Sequence, residues 1–157
     1  MLVRIAPLIV AALVVAGCGA PPSTTPRNES PNHEWVANAR GVVQQLRGDA
    51  LAVAGFDDLA SARKGLRDTS QLYGLLVAYT DFGGCRHMTA AIGVEPPGQA
   101  RVVRLLDRAC ARLQHADVLF TRAVARTDPR LLVDATREAV AAVPALDAAT
   151  LALAPTH

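Results

Sequence analysis

The chain has 157 residues with 16 basic and 14 acidic side chains, which gives a formal net charge of +2 at pH 7. This length suits one ordinary domain, and the near balance of charge argues against nucleic acid as a partner. Hydrophobic residues make up 51% of the chain but aromatic residues only 4%. A mixture rich in Ala, Val and Leu favours closely packed helices over strands.

The first twenty residues, MLVRIAPLIVAALVVAGCGA, have the layout of a secretory signal. The charged residue Arg4 precedes an apolar run from Ile5 to Val15, and small residues follow it. The run has about 11 residues, whereas a helix needs about 20 to cross a bilayer. We therefore expect an export signal rather than a permanent membrane span.

The segment Val15-Ala16-Gly17-Cys18 resembles the lipobox of bacterial lipoproteins, in which an aliphatic residue and two small residues precede a cysteine. The resemblance implies that the Cys18 thiol receives diacylglycerol and that cleavage leaves Cys18 as an acylated N-terminus. Two or more acyl chains hold a protein firmly on a membrane. The alternative is a plain signal peptide with a chance cysteine near its end. The basic residues are fifteen Arg and one Lys, a bias similar to that of actinobacterial proteins.

The sequence thus predicts three parts: a lipoprotein signal peptide over 1–17, a flexible tether over 18–32 and a helical domain over 33–157. The tether contains the segment GAPPSTTPRNESPN, which is dense in Pro, Ser and Thr. Such a segment cannot bury enough apolar surface to offset the entropy lost on ordering. We expect the domain to be held at the extracytoplasmic face of the cell membrane.

Apolar residues recur at helical spacing from Glu34 onward and predict four helices. The second helix is predicted to begin at a cap formed by Asp57 or Asp58 and to end at Gly83-Gly84. The expected buried side chains of the first helix are Trp35, Val36, Ala39, Val43, Leu46, Ala50 and Val53. Those of the second helix are Leu59, Ala62, Leu66, Tyr73, Leu76 and Val77.

The third and fourth helices follow a loop through Glu95-Pro96-Pro97-Gly98. Thr127-Asp128-Pro129 starts the fourth helix, and Pro144 should kink or interrupt it. The third helix is expected to bury Val102, Leu105, Leu106, Ala109, Leu113, Ala116, Phe120 and Ala123, and the fourth Leu132, Ala135, Ala139, Val143, Leu146 and Leu153. Four amphipathic helices joined by short links predict an all-α fold, an antiparallel four-helix bundle.

Two cysteines, Cys85 and Cys110, remain once Cys18 is assigned to the lipid. Because an exported domain meets an oxidising compartment, we expect them to form a disulfide. Cys85 is predicted just past the second helix and Cys110 at the edge of the apolar stripe of the third. Two alternatives stay open: a metal site at Cys85 and His87, with His115 as a further candidate ligand, and a pair of reactive thiols. Zinc favours four ligands, and the sequence contains no CxxC pair.

At 100° per residue, the charged side chains of the third helix fall on two flanks, one on each side of its apolar stripe. The basic flank contains Arg101, Arg104, Arg108, Arg112, His115, Arg122 and Arg126, whereas Asp107, Gln114 and Asp117 lie on the other side. We name Arg101, Arg104, Arg108 and Arg112 the arginine ridge. A ridge of this kind is suited to anionic lipid headgroups, an acidic envelope polymer or an envelope protein. The alternative is a solvated flank whose arginines pair with acids of a neighbouring helix, such as Glu34 and Asp49.

The sequence contains no GxSxG elbow, HExxH motif, phosphate-binding Gly loop or dinucleotide fingerprint. An aliphatic interior also offers little for acid–base chemistry, so we expect neither an enzyme nor a cofactor. The leading hypothesis is a lipid-anchored binding or interaction module that uses the arginine ridge. The alternatives are a carrier of an apolar small molecule within the helical bundle and a structural envelope protein without a ligand.

Overall fold

The computed structural model describes residues 31–154, and within this range the chain is entirely helical, without a strand. The helices are α1 (Pro31–Ala52), α2 (Leu59–Arg67), α3 (Thr69–Ala90), α4 (Ala100–Arg126), α5 (Pro129–Val140) and α6 (Val143–Ala152). A short 3-10 turn, Ala54–Phe56, lies between α1 and α2. The all-α prediction is confirmed. The expected signal peptide, Cys18 and nearly all of the tether lie outside the described residues.

Asp68 divides the expected second helix into α2 and α3. Its backbone is extended, with φ −84° and ψ 116°, and its side chain accepts hydrogen bonds from the backbone N–H groups of Ser70 and Gln71. Asp58 caps α2 in the same way, through the N–H groups of Ala60 and Ser61. Since a capping Asp satisfies donors that a helix leaves unpaired at its start, Asp68 favours a new helix. The prediction of one continuous helix was wrong here.

Gly83-Gly84 does not end α3, which continues to Ala90. Cys85 therefore lies inside the helix rather than just past it. The glycines that take up a positive φ are Gly93, at 103°, and Gly98, at 91°, both in the loop before α4. The predicted helix end was wrong because these loop glycines, and not the pair in the helix, provide the backbone conformation that reverses the chain.

Several large apolar side chains lie on the outward face of α3, contrary to the sequence prediction. Tyr73, Leu76 and Val77 were expected in the core, yet they are 70%, 44% and 47% exposed, and Leu59 of α2 is 46% exposed. The buried face of α3 is instead formed by Leu75, Ala78, Tyr79, Phe82 and Cys85. Because α3 carries apolar residues on both faces, helical periodicity alone cannot choose the face that enters the core.

The expected fourth helix is interrupted, as predicted, next to Pro144. Helix α5 ends at Val140, and α6 begins at Val143 with Pro144 in its first turn. Proline at this position lacks a backbone N–H that the helix start leaves unpaired in any case. The two halves of the expected helix are therefore two separate helices, and each packs on its own set of neighbouring helices.

Helix α4 is the centre of the packing and contacts α3, α5 and α6, while α1 contacts α3 and α6, and α2 contacts α3 and α5. The apolar stripes expected on the first, third and fourth helices are buried, except that Val36, Leu105 and Val143 are partly exposed. None of the helices in the range 31–154 combines the length and apolar character that crossing a membrane requires.

Candidate interaction surface

The four residues of the arginine ridge are exposed along α4. The other flank of α4 packs on α3, where Gln114 Nε2 donates to the Gly83 carbonyl at 3.5 Å and the Asp117 carboxylate lies against Gly83. Cys110 bonds to Cys85 on the same flank. The ridge therefore lies on the flank of α4 that faces away from α3.

Arg112 is the member of the ridge that meets an acid. Its Nη1 atom lies 3.1 Å from Glu138 Oε2 on α5, and His115 Nδ1 lies 3.9 Å from the same oxygen. The acid that reaches the ridge is thus Glu138, rather than Glu34 or Asp49. The reason is topological, because α1 packs mainly on α3 and α6, whereas α5 lies directly beside α4.

Arg101, Arg104 and Arg108 have no acidic group within 4.0 Å among residues 31–154. Helix α6, which packs beside α4, has the sequence VPALDAATLA with a single charged residue, Asp147. That carboxylate is bound by the Arg47 guanidinium of α1. The three arginines therefore form a cationic row at spacing i, i+3 and i+7, about 10 Å long on an α-helix.

Two acidic side chains, Asp49 of α1 and Asp81 of α3, come together where α1 packs on α3. Gln45 Nε2 of α1 donates to Asp81 Oδ2 of α3 at 2.8 Å. Burial, together with a hydrogen bond and the charge of Asp81, raises the pKa of Asp49 to about 6. Asp49 Oδ2 is buried without a partner, and a proton shared with Asp81 would supply one.

A third carboxyl group, that of Asp117, lies where α4 meets α3 against Gly83. Burial raises the pKa of Asp117 above its ordinary range. Sequence reasoning missed the role of all three acids. Asp49, Asp81 and Asp117 lie on different helices, and only packing gives them these surroundings, so no local motif signals the arrangement.

Cys85 of α3 and Cys110 of α4 form a disulfide with their Cα atoms 5.4 Å apart, and both are buried. The bond joins the two helices directly. His87 and His115, the other candidate ligands, are exposed. Within the part of the chain that the structure describes, no group of three or more His, Cys, Asp or Glu side chains is placed to hold a metal ion. Cys18, the expected lipidation site, lies outside that part.

The comparisons with known proteins add no relative to these observations. No protein-family model matches the chain, and neither a curated protein nor a solved structure matches it. The row formed by Arg101, Arg104 and Arg108 is the most distinctive charged surface on α4.

Proposed function

We propose that this chain is a lipid-anchored interaction module of the cell envelope. Cys18 attaches it to the extracytoplasmic face of the membrane, and Arg101, Arg104 and Arg108 bind an anionic partner. The observation that carries the proposal is the row of three exposed arginines that have no acidic group within 4.0 Å among residues 31–154. Arg112 is left out of the binding row because it pairs with Glu138.

The chemistry of the row suits phosphate or carboxylate groups. A guanidinium presents several N–H donors in a planar fork that matches both anions. Each basic side chain near an anionic surface contributes about 1 kcal/mol, so three arginines contribute about 3 kcal/mol. This corresponds to about a hundredfold in affinity.

The buried disulfide supports export of the domain. Disulfides form in oxidising compartments and are rare in the cytosol, and Cys85 and Cys110 are bonded inside the fold. The proposal includes the antiparallel four-helix arrangement, in which α5 and α6 together supply the fourth helix. The contacts of α4 with α3, α5 and α6, and of α1 with α3 and α6, are consistent with it.

Binding by Arg101, Arg104 and Arg108 is tested with two triple variants, each of which removes three positive charges. Arg101→Gln, Arg104→Gln and Arg108→Gln remove three charges from α4, and Arg63→Gln, Lys64→Gln and Arg67→Gln remove three exposed charges from α2. Detergent-solubilised protein is bound to immobilised heparin as a polyanion and eluted with salt. We expect the α4 variant to elute at much lower salt than the α2 variant. Equal shifts for the two variants would count against the row.

The membrane anchor is tested separately by intact mass measurement of protein made in its native host. The expected mass is that of a chain that begins at Cys18 and carries diacylglycerol, with a further acyl group on the amine. A different N-terminus, or Cys18 without lipid, would contradict the anchor but not the polyanion binding by α4.

A further inference from the structure

An open groove lies at the end of the molecule where α1 begins, and its lining does not include Arg101, Arg104 or Arg108. It is bounded by the start of α1, the end of α3, the loop that follows and the first half of α4, and its volume is about 400 Å³. Small-molecule sites in proteins have volumes of about 300–1,000 Å³. The groove is therefore large enough for a ligand of modest size.

The buried part of the groove lining is apolar. Trp35, Ile92 and Leu106 are each at most 6% exposed, and Val103 beside them is partly buried. Trp35 is 5% exposed and its Nε1 atom is buried, so a ligand in the groove meets only a small part of the ring and not its N–H group. The lining favours a ligand with an apolar body.

The exposed part of the lining is charged, with both signs present. Arg86 comes from α3, Glu95 from the loop and Asp107 from α4, and all three are exposed. None of them forms an ion pair within residues 31–154. One cation and two carboxylates complement a head group that carries an ammonium together with an anionic group.

The disulfide braces the two helical walls of the groove. Cys85 directly precedes Arg86 in α3, and Cys110 lies three residues after Asp107 in α4. Because the bond joins α3 and α4 within about one helical turn of both charged residues, the spacing of the walls is set before a ligand arrives. Preorganisation of this kind lowers the entropic cost of binding.

We propose that this groove binds a single-chain zwitterionic amphiphile. The apolar chain lies on Trp35 and Val103, the anionic group of the head meets Arg86, and the ammonium group meets Glu95 and Asp107. The site is separate from Arg101, Arg104 and Arg108, so its occupancy does not depend on the polyanion binding proposed above. It also differs from a carrier cavity inside the bundle, since the ligand lies at one end of the helices.

The test uses Trp35, the single tryptophan of the chain, as the reporter. The acylated protein is held in phosphatidylcholine nanodiscs and titrated with bromohexyl probes whose head group is phosphocholine, trimethylammonium or sulfate. A bromine atom quenches tryptophan fluorescence only at short range. We expect saturable quenching, with the phosphocholine probe binding at least about fivefold more tightly than the other two. Absence of saturable quenching, or tightest binding of the sulfate probe, would overturn the proposal.

Two sets of variants localise the binding. Val103→Phe fills the groove, and Val118→Phe introduces the same side chain at an exposed position of α4 that does not line the groove. We expect Val103→Phe to lose at least about tenfold in affinity and Val118→Phe to bind as the wild type does. The pair Glu95→Gln and Asp107→Asn, which leaves the apolar lining intact, should weaken the trimethylammonium probe and strengthen the sulfate probe. Equal affinities in Val103→Phe and Val118→Phe, or unchanged head-group preference in the carboxamide pair, would each contradict the site.

Discussion

The hydroxyl of Tyr79 on α3 lies 3.4 Å from the hydroxyl of Thr136 on α5, and neither side chain is exposed. The Tyr79 ring also stacks on Phe120 of α4, with ring centroids 4.2 Å apart. Burial raises the pKa of Tyr79 to about 12, so the hydroxyl stays neutral at physiological pH. One side chain thus joins three helices at the centre of the domain.

Removal of either hydroxyl should destabilise the protein, because it leaves the other hydroxyl buried without this partner. We expect Tyr79→Phe and Thr136→Val each to lower the free energy of unfolding by about 1 kcal/mol. The double variant should lose less than the sum of the two, since the interaction can be lost only once. Urea unfolding followed by circular dichroism of all four proteins measures the coupling. Strictly additive losses would show that the hydroxyls do not interact.

The sequence predicted the core best where each helix has one clear apolar face. The expected core residues of these helices are buried because each helix has one apolar face opposite a polar face. Examples are Trp35, Leu46, Leu113 and Leu132. It failed on α3, where Tyr73 and Tyr79 are equally plausible core residues by periodicity, although Tyr73 is 70% exposed and Tyr79 is buried. The choice between them depends on tertiary contacts, which no local pattern encodes.

The candidate sites were predictable only in part, for a related reason. The exposure of Arg101, Arg104 and Arg108 follows from their position on α4. The helical periodicity of the sequence was enough to predict that position. The pairing of Arg112 with Glu138 depends on which helix lies beside α4, and the groove lined by Trp35 requires three separate parts of the chain. The order of the helices around a core is set by packing. The periodicity of each helix indicates only which face of that helix is apolar.

Replacement of the half-buried Asp49 by asparagine should change the pH dependence of stability. The folded-state pKa of about 6 lies above the ordinary value of 3.8, so the folded protein binds this proton more tightly than the unfolded chain does. Stability from this group is complete below about pH 4 and is lost as the pH rises through 6. After allowance for partial exposure to solvent, we expect Asp49→Asn to be more stable than the wild type at pH 7 by about 1 kcal/mol.

The measurement is urea unfolding of the wild type and Asp49→Asn between pH 4 and pH 7.5. The difference between the two should grow with pH and level off above the pKa. Asp57→Asn, which changes an exposed carboxyl group outside the helices, is the control and should follow the wild type. A pH-independent difference between Asp49→Asn and the wild type would contradict the shared proton with Asp81.

Loss of the disulfide should destabilise the domain strongly. Cys85 and Cys110 are 25 residues apart in the sequence, and closing a loop of this size contributes about 3 kcal/mol in the chain-entropy account. We expect the double variant Cys85→Ala and Cys110→Ala to lose about this much unfolding free energy under oxidising conditions. Dithiothreitol should lower the stability of the wild type toward that of the variant and leave the variant unchanged. An equal effect of dithiothreitol on both proteins would mean that the bond does not stabilise the fold.

The adjacent glycines Gly83 and Gly84 should respond differently to alanine. A Cβ atom at Gly83 would lie 2.8 Å from Asp117 Oδ2, whereas a Cβ atom at Gly84 meets nothing within 4 Å. Alanine in a helix is more favourable than glycine by up to about 1 kcal/mol, so Gly84→Ala should stabilise the protein by about that amount. Gly83→Ala should gain less, because the new Cβ atom requires the half-buried Asp117 carboxylate to move away from α3. Thermal unfolding compares the two variants directly, and an equal gain in both would show that α3 and α4 do not approach closely at Gly83.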